Sequence, residues 1–306
     1  MKFHKFSDFN FKEVDYSQYR QELSSELNTL VAQSINTDTK LERKLQSFFE
    51  RYPSAILGAL TGVPSHHNIF GNVIISQPQI KDYSGDRRPD FLVVTSNSLE
   101  LYFNFIEIES PNKQIFKGDK VELHSDFYQA YGQLHQWKAN IESLKAYIGH
   151  LKKNLFCDNF NLSRKTDKIN YVLLYGNSDE LISSPSNRQR EFLSDFLPAN
   201  IYHSTYSRLI SNLYIPGGMF SVKRNSNDDT YSAIGITPFK TYETSEWSDF
   251  HNVTGKEEVI QSCPYLTETE RNDVIKEIRA LDPKNISEIH KLQLEEPATD
   301  LSGSPI

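Results

Sequence analysis

Pro89-Asp90-Phe91-Leu92-Val93-Val94, a Ser96-Asn97-Ser98 turn, and then Leu99-Glu-Leu-Tyr-Phe-Asn-Phe-Ile-Glu-Ile-Glu109 running into Ser110-Pro111 form the segment that decides the fold. Both apolar runs have the period of a strand, the Asn-Ser pair is turn chemistry, and Pro111 stops the second run. A hairpin centred between Ser98 and Leu99 puts Glu107 opposite Asp90. Side chains alternate along a strand, so Glu107 and Glu109 leave from one face, among the large apolar Phe105, Ile106 and Ile108. Two carboxylates at cross-strand distance repel unless something positive lies between them. A hard divalent cation with oxygen ligands, such as Mg²⁺, meets that need. The alternative is an edge strand whose acids point to solvent. The bulky apolar neighbours and the stop directly after Glu109 speak against it.

Outward from the hairpin, the pattern alternates between helix and strand. Leu41, Leu45, Phe48, Phe49 and Tyr52 share one helical face, and Pro53 ends that helix. A loop with Gly58, Gly62 and Pro64 follows, then a strand at Val73-Ile-Ile75 and a turn at Asp82–Asp86. After Pro111, the apolar stripe from Leu123 through Phe127, Ala130, Leu134, Trp137, Ile141, Leu144, Ile148 and Leu151 to Leu155 predicts one long helix over 122–156. Further strands are expected at Ile169–Tyr175, before Gly176, and at Ile201–Thr205. Helices are expected at Ser186–Asp195 and Tyr206–Leu213. This order predicts an α/β domain over 39–215 with a mixed central sheet flanked by helices. An N-terminal extension, 1–38, carries an amphipathic piece at Tyr16–Ser34. A C-terminal extension, 216–306, has a polar loop at Asn225–Asp229, a helix opened by the Thr267/Glu270 capping box and a frayed tail from Glu295.

At this level the sequence resembles the PD-(D/E)xK nuclease fold, and more narrowly the nuclease domain of the Shedu bacterial anti-phage defence proteins. The resemblance is carried by Glu42, Leu45-Gln46, Phe49 and Tyr52-Pro53, by Arg88-Pro89-Asp90, and by Ile106-Glu107-Ile108-Glu109-Ser110-Pro111. Ala130-Tyr-Gly-Gln133 through Trp137, Tyr171–Gly176 and Thr205-Tyr206-Ser-Arg-Leu209 complete it, over residues 40–213. It implies a restriction-endonuclease-like core that cuts DNA with Mg²⁺ or Mn²⁺. Asp90 and Glu107 would hold the ion, Glu109 would bind a second ion or deprotonate water, and Glu42 and Gln133 would support them. One departure matters: the fold's usual Lys is Glu109 here, with Lys113 and Lys117 the nearest replacements in sequence. Some restriction enzymes of this fold carry Glu at that position and are active. A homo-oligomer is implied by the resemblance alone.

Composition bounds the remaining classes. The chain has 306 residues, enough for about two domains, and its 12% aromatic content excludes wholesale disorder. The longest apolar-leaning stretch, Ala55–Val63, is far short of the ~20 residues that cross a bilayer. No apolar signal core follows Met1-Lys2-Phe3-His4, and Cys157 and Cys263 read as inert thiols, so a cytoplasmic location is expected. The net charge of −7 argues against coating nucleic acid by bulk attraction. A local basic strip carrying Lys138, Lys145, Lys152 and Lys153 is still available for DNA, as are Lys113 and Lys117. His66-His67, the one adjacent histidine pair, matches no metal spacing. Two other readings stay open: a nuclease-like domain that has lost its chemistry and serves as a DNA-binding or assembly module, and an unrelated α/β domain.

Overall fold

The computed structural model describes residues 16–33, 38–64, 68–80, 88–156, 164–182, 186–213, 218–225, 229–238 and 253–280. Cys157, His66-His67, the Asp82–Asp86 turn and the Glu295–Ile306 tail lie outside them. The chain folds as an α/β structure around one mixed eight-stranded sheet in the order β5-β4-β3-β2-β1-β6-β7-β8. The strands are β1 (Asn68–Ser76), β2 (Phe91–Ser96), β3 (Glu100–Ile108), β4 (Thr166–Leu174), β5 (Ile201–Ser204), β6 (Phe220–Arg224), β7 (Tyr231–Ile236) and β8 (Val253–Thr254).

The β2–β3 hairpin has the register read from sequence: Phe91 pairs Ile106 and Ser96 pairs Leu101. Asn97 sets the turn, its Oδ1 accepting from the N–H groups of Leu99 at 2.8 Å and Glu100 at 2.7 Å. Asn104 then locks the register from within the sheet. Its buried Nδ2 donates to the Val93 carbonyl at 3.0 Å and to Thr95 Oγ1 at 3.1 Å, and its Oδ1 accepts from Asn170 of β4 at 2.9 Å. A one-residue slip would strand all three polar groups.

Alternation sorts the strands onto two cores. Leu92, Val94, Phe103 and Phe105 meet Phe127, Ala130, Leu134 and Trp137 of α3 (Ser125–Ala139) and Leu144, Ile148 and Leu151 of α4 (Ile141–Asn154). On the opposite face, Phe91, Val93, Ile106 and Ile108 meet α1 (Tyr16–Ala32) and α2 (Asp38–Arg51). The Leu41, Leu45, Phe48, Phe49 and Tyr52 stripe of α2 is buried as its spacing predicts, as are Tyr19, Leu23 and Leu27 of α1.

Three sequence expectations are corrected. The long helix over 122–156 is two helices, because Asn140 leaves helical geometry (φ −98°, ψ 43°) and its amide bonds back to the Gln136 carbonyl at 3.0 Å. The expected loop after Pro53 is a 3₁₀ helix, Pro53–Leu60, with every residue buried. A short apolar run of small residues has no periodicity to announce it. Finally, strands appear beyond residue 216, where none were expected. β6 pairs in parallel with β1 and carries β7 and β8 with it, so the sheet continues past residue 215. The remaining helices are α5 (Asp179–Ile182), α6 (Ser186–Phe196), α7 (Tyr206–Ser211), α8 (Lys256–Gln261) and α9 (Glu268–Ala280). The Thr267/Glu270 capping box opens α9 as expected, with the Glu270 carboxylate on the Thr267 N–H at 2.6 Å.

Candidate active site

The β2–β3 pairing ends at Phe91 and Ile106; Asp90 stands one residue before β2, and Glu107 is the next residue of β3. Both acids lie close to each other, and the further charges that act on them are those of Glu109 and of Glu42 on α2. Asp90 Oδ2 accepts the Ile108 N–H at 2.7 Å. Glu107 Oε2 is buried and has no hydrogen-bond partner. Gln46 of α2 steadies the Asp90 backbone. Its Nε2 donates to Ser76 Oγ at 3.0 Å, to Glu50 Oε1 at 3.2 Å and to the Asp90 carbonyl at 3.5 Å.

Glu109 sits just past β3. Its N–H donates to the Leu174 carbonyl at 2.9 Å, and its own carbonyl accepts the Tyr206 hydroxyl at 2.7 Å. Its carboxylate, 8% exposed with its residue, pairs with Lys113, whose ammonium also reaches Glu42 Oε1 at 3.1 Å. Lys113 arrives on the loop after β3, and that loop is anchored on several sides. Both Glu180 oxygens take backbone N–H groups, Ile115 at 2.9 Å and Phe116 at 2.7 Å. Tyr175 donates to the Gln114 carbonyl at 3.1 Å. Gly176 (φ +67°) gives the loop room, since a Cβ there would stand 2.9 Å from the Lys113 carbonyl oxygen.

Crowding of acids controls the electrostatics. Burial, opposed by the Ile108 N–H and reinforced by the charges of Glu109 and Glu42, pushes the Asp90 carboxyl up to about 7. Burial and then the charges of Asp90, Glu109 and Glu42 hold Glu107 well above the usual carboxylate range. Glu109 is raised by burial too, with Lys113 opposing. Burial pulls the Lys113 ammonium down, but Glu109 and Glu42 more than offset it, so it stays charged. Burial, and then the same acids, push the Tyr206 hydroxyl up, which keeps it a donor.

The residues fit a hard divalent cation. The donors are carboxylate oxygens, one of them a buried orphan, and a cation would remove the cost of ionising neighbouring acids. Among the described residues, no three His, Cys, Asp or Glu side chains converge as a ready-made ion site. The acids instead divide into Asp90 with Glu107, and Glu42 with Glu109 around Lys113.

A raised carboxylate gives stability that is intact below its unfolded value, near 3.8 for Asp90, and lost as pH rises through the folded value near 7. Asp90→Asn should therefore leave the metal-free protein's stability at pH 4 close to the parent's and raise it by about 1–3 kcal/mol at pH 8. Paired thermal melts at the two pH values measure this; equal shifts at both would show that Asp90 is not strained by its charge.

The other sequence candidates divide. Gln133 is half-buried on α3, but the hydrogen bond to the Glu109 carboxylate comes from Lys113. Lys117 pairs with Glu122 in an exposed turn, away from the carboxylates. In the basic strip, Lys138 bonds Asn200 Oδ1 at 2.9 Å, Lys145 pairs with Glu142 at 2.9 Å and Lys152 with Asp167 at 2.6 Å, while Lys153 is exposed. Two of the four, Lys145 and Lys152, are already paired with acids, which thins the strip's field. Cys263 is buried, and burial pushes its thiol up, as expected of an inert cysteine. Sequence reasoning missed Glu180, for which no local signal exists. It also gave no role to Tyr206 or Gln46, although both lie in motifs that carry the resemblance.

A sequence model of the family described as "Shedu protein SduA, C-terminal" matches residues 39–210, more than half of the chain. No curated protein matches. Glu42, Asp90, Glu107, Glu109, Lys113 and Tyr206 all fall inside the matched region.

Proposed function

The chain belongs to the Shedu family of anti-phage defence proteins, and from that premise we propose that it is a Mg²⁺- or Mn²⁺-dependent DNA endonuclease with a PD-(D/E)xK-type core. The observation that carries the reading is the buried Asp90–Glu107 pair, just before β2 and near the end of β3, with one buried carboxylate oxygen unpartnered. A structural role gives no reason to bury repelling acids together.

Asp90 and Glu107 would hold the ion, with Glu109 near a second cation position. Bound there, a divalent ion supplies charge neutralisation at a phosphate and acidity to a water. The chain's own residues do the rest. Gln46 and the Ile108 N–H fix Asp90, and Tyr206 and the Leu174 carbonyl fix the Glu109 main chain. Glu109 would bind a second ion or take a proton from an attacking water. The family's oligomers make self-assembly a part of this proposal. Among the described residues no helix is long and apolar enough to cross a membrane.

The second reading, a nuclease-like module without chemistry, draws on the ammonium seated between Glu42 and Glu109. One experiment separates the two. Purified protein incubated with supercoiled and linear DNA should cut in Mg²⁺ or Mn²⁺ and not in EDTA. Retained DNA binding with no cleavage in either metal would favour the module.

A further inference from the structure

We propose that Lys113 is the second cation of this site: its ammonium, held between Glu42 and Glu109, occupies the position a second divalent ion would take, so that the chain binds one divalent ion rather than two. This rests on the nuclease reading above and deepens it.

Four acids gather here, and a single divalent ion at Asp90 and Glu107 leaves Glu42 and Glu109 uncompensated. Lys113 contacts both of those and neither of the other two, with its Nζ 3.1 Å from Glu42 and paired directly with Glu109. Its side chain is 19% exposed, so the charge acts in a partly dry setting where it is weakly screened. The tether matters as much as the charge. The Glu180, Tyr175 and Gly176 contacts hold the loop on the side after Lys113. On the side before it, the Gly176 N–H donates to the Ser110 carbonyl at 3.3 Å and Asn112 Nδ2 donates to the Gln33 carbonyl at 3.0 Å. An ammonium fixed in this way has a high effective concentration at the two carboxylates, and a second ion must displace it before it can bind.

Lys113 also faces outward. It lines a cavity of about 290 Å³ with Pro111, Asn112, Gln114, Asn177 and Glu180. An ammonium has three N–H donors. Two are engaged by Glu42 and Glu109, which leaves one for a phosphate oxygen brought in through that opening. In the one-ion site, Lys113 thus neutralises charge at the phosphate from the side away from Asp90 and Glu107, and Glu109 anchors it.

Counting bound Mn²⁺ on the full chain by electron paramagnetic resonance tests this without reference to activity. The parent should bind one Mn²⁺ per chain, Lys113→Arg one, and Lys113→Met two, since removing the resident charge frees Glu42 and Glu109. Cleavage by Lys113→Met should fall about 100-fold at low metal and recover in part as Mn²⁺ is raised. Two ions on the parent, or one on a folded Lys113→Met, overturns the assignment. Should Lys113→Met not fold, the parent's own count still decides. Two ions with metal-dependent cleavage would sink the role of Lys113 alone, whereas no bound ion and no cleavage would sink it together with the nuclease reading.

Discussion

Glu107→Gln is expected to abolish metal-dependent DNA cleavage, by at least about 10³-fold, while making the metal-free protein more stable than the parent. The two effects have one cause. Burial and three neighbouring acids hold Glu107 well above the usual carboxylate range, so the metal-free fold already favours its neutral form. Glutamine has that shape without the charge, and it relieves Asp90 of a repelling neighbour. The same exchange removes an anionic ligand from the proposed ion site. A 10³-fold loss corresponds to about 4 kcal/mol of transition-state stabilisation, an ordinary magnitude for a charge acting in a partly dry site. A gain in stability on losing a functional charge is also the usual trade at an active site. Mg²⁺ should raise the melting temperature of the parent and leave the variant unmoved, because only the parent's native state binds it. Cleavage within about tenfold of the parent's, or a destabilised variant, would remove Glu107 from the mechanism.

The largest stability effect is expected far from the carboxylates. Gly235 of β7 lies against the end of α2, where a Cβ would fall well inside van der Waals contact of the Glu50 carbonyl oxygen and 2.7 Å from Ser221 Oγ. Ser221 itself donates to that carbonyl. The nearest atoms, the carbonyl oxygen and carbon of Glu50, are helix backbone and have little room to yield. Gly235→Ala should therefore cost about 3 kcal/mol or more, roughly 6–12 °C in melting temperature for a chain of this size. Gly132→Ala is the control. It lies within α3 with nothing inside 4 Å of an added Cβ, and should be neutral or stabilising by up to about 1 kcal/mol. Equal melting temperatures for the two variants would mean that β7 does not seat on α2 as described. Since Glu50 also accepts from Ser76 at 2.5 Å and from Gln46, loosening β7 should reach the support beneath Asp90.

What the sequence determined by itself is local. Alternation on either side of Asn97 set the β2–β3 register as far as Phe91 and Ile106, and Asp90 and Glu107, the residues next to that pair, lie close together. The 3.6-residue stripe of α2 identified its buried face, and Thr267 with Glu270 marked the start of α9. Each of these rests on turn chemistry, alternation or capping, which act among residues close in the chain. Tertiary structure alone decided the rest. Lys113 and Lys117 are equivalent candidates in sequence, yet Lys113 is placed against Glu42, 71 residues away, because Glu180 and Gly176 fold its loop inward. Strands β6 and β7 complete the sheet on the far side of β1, and Ser221 meets Glu50 across 171 residues. No periodicity encodes such contacts. They follow from which apolar faces are left to be buried once the local elements exist, and that is settled only when the whole chain packs.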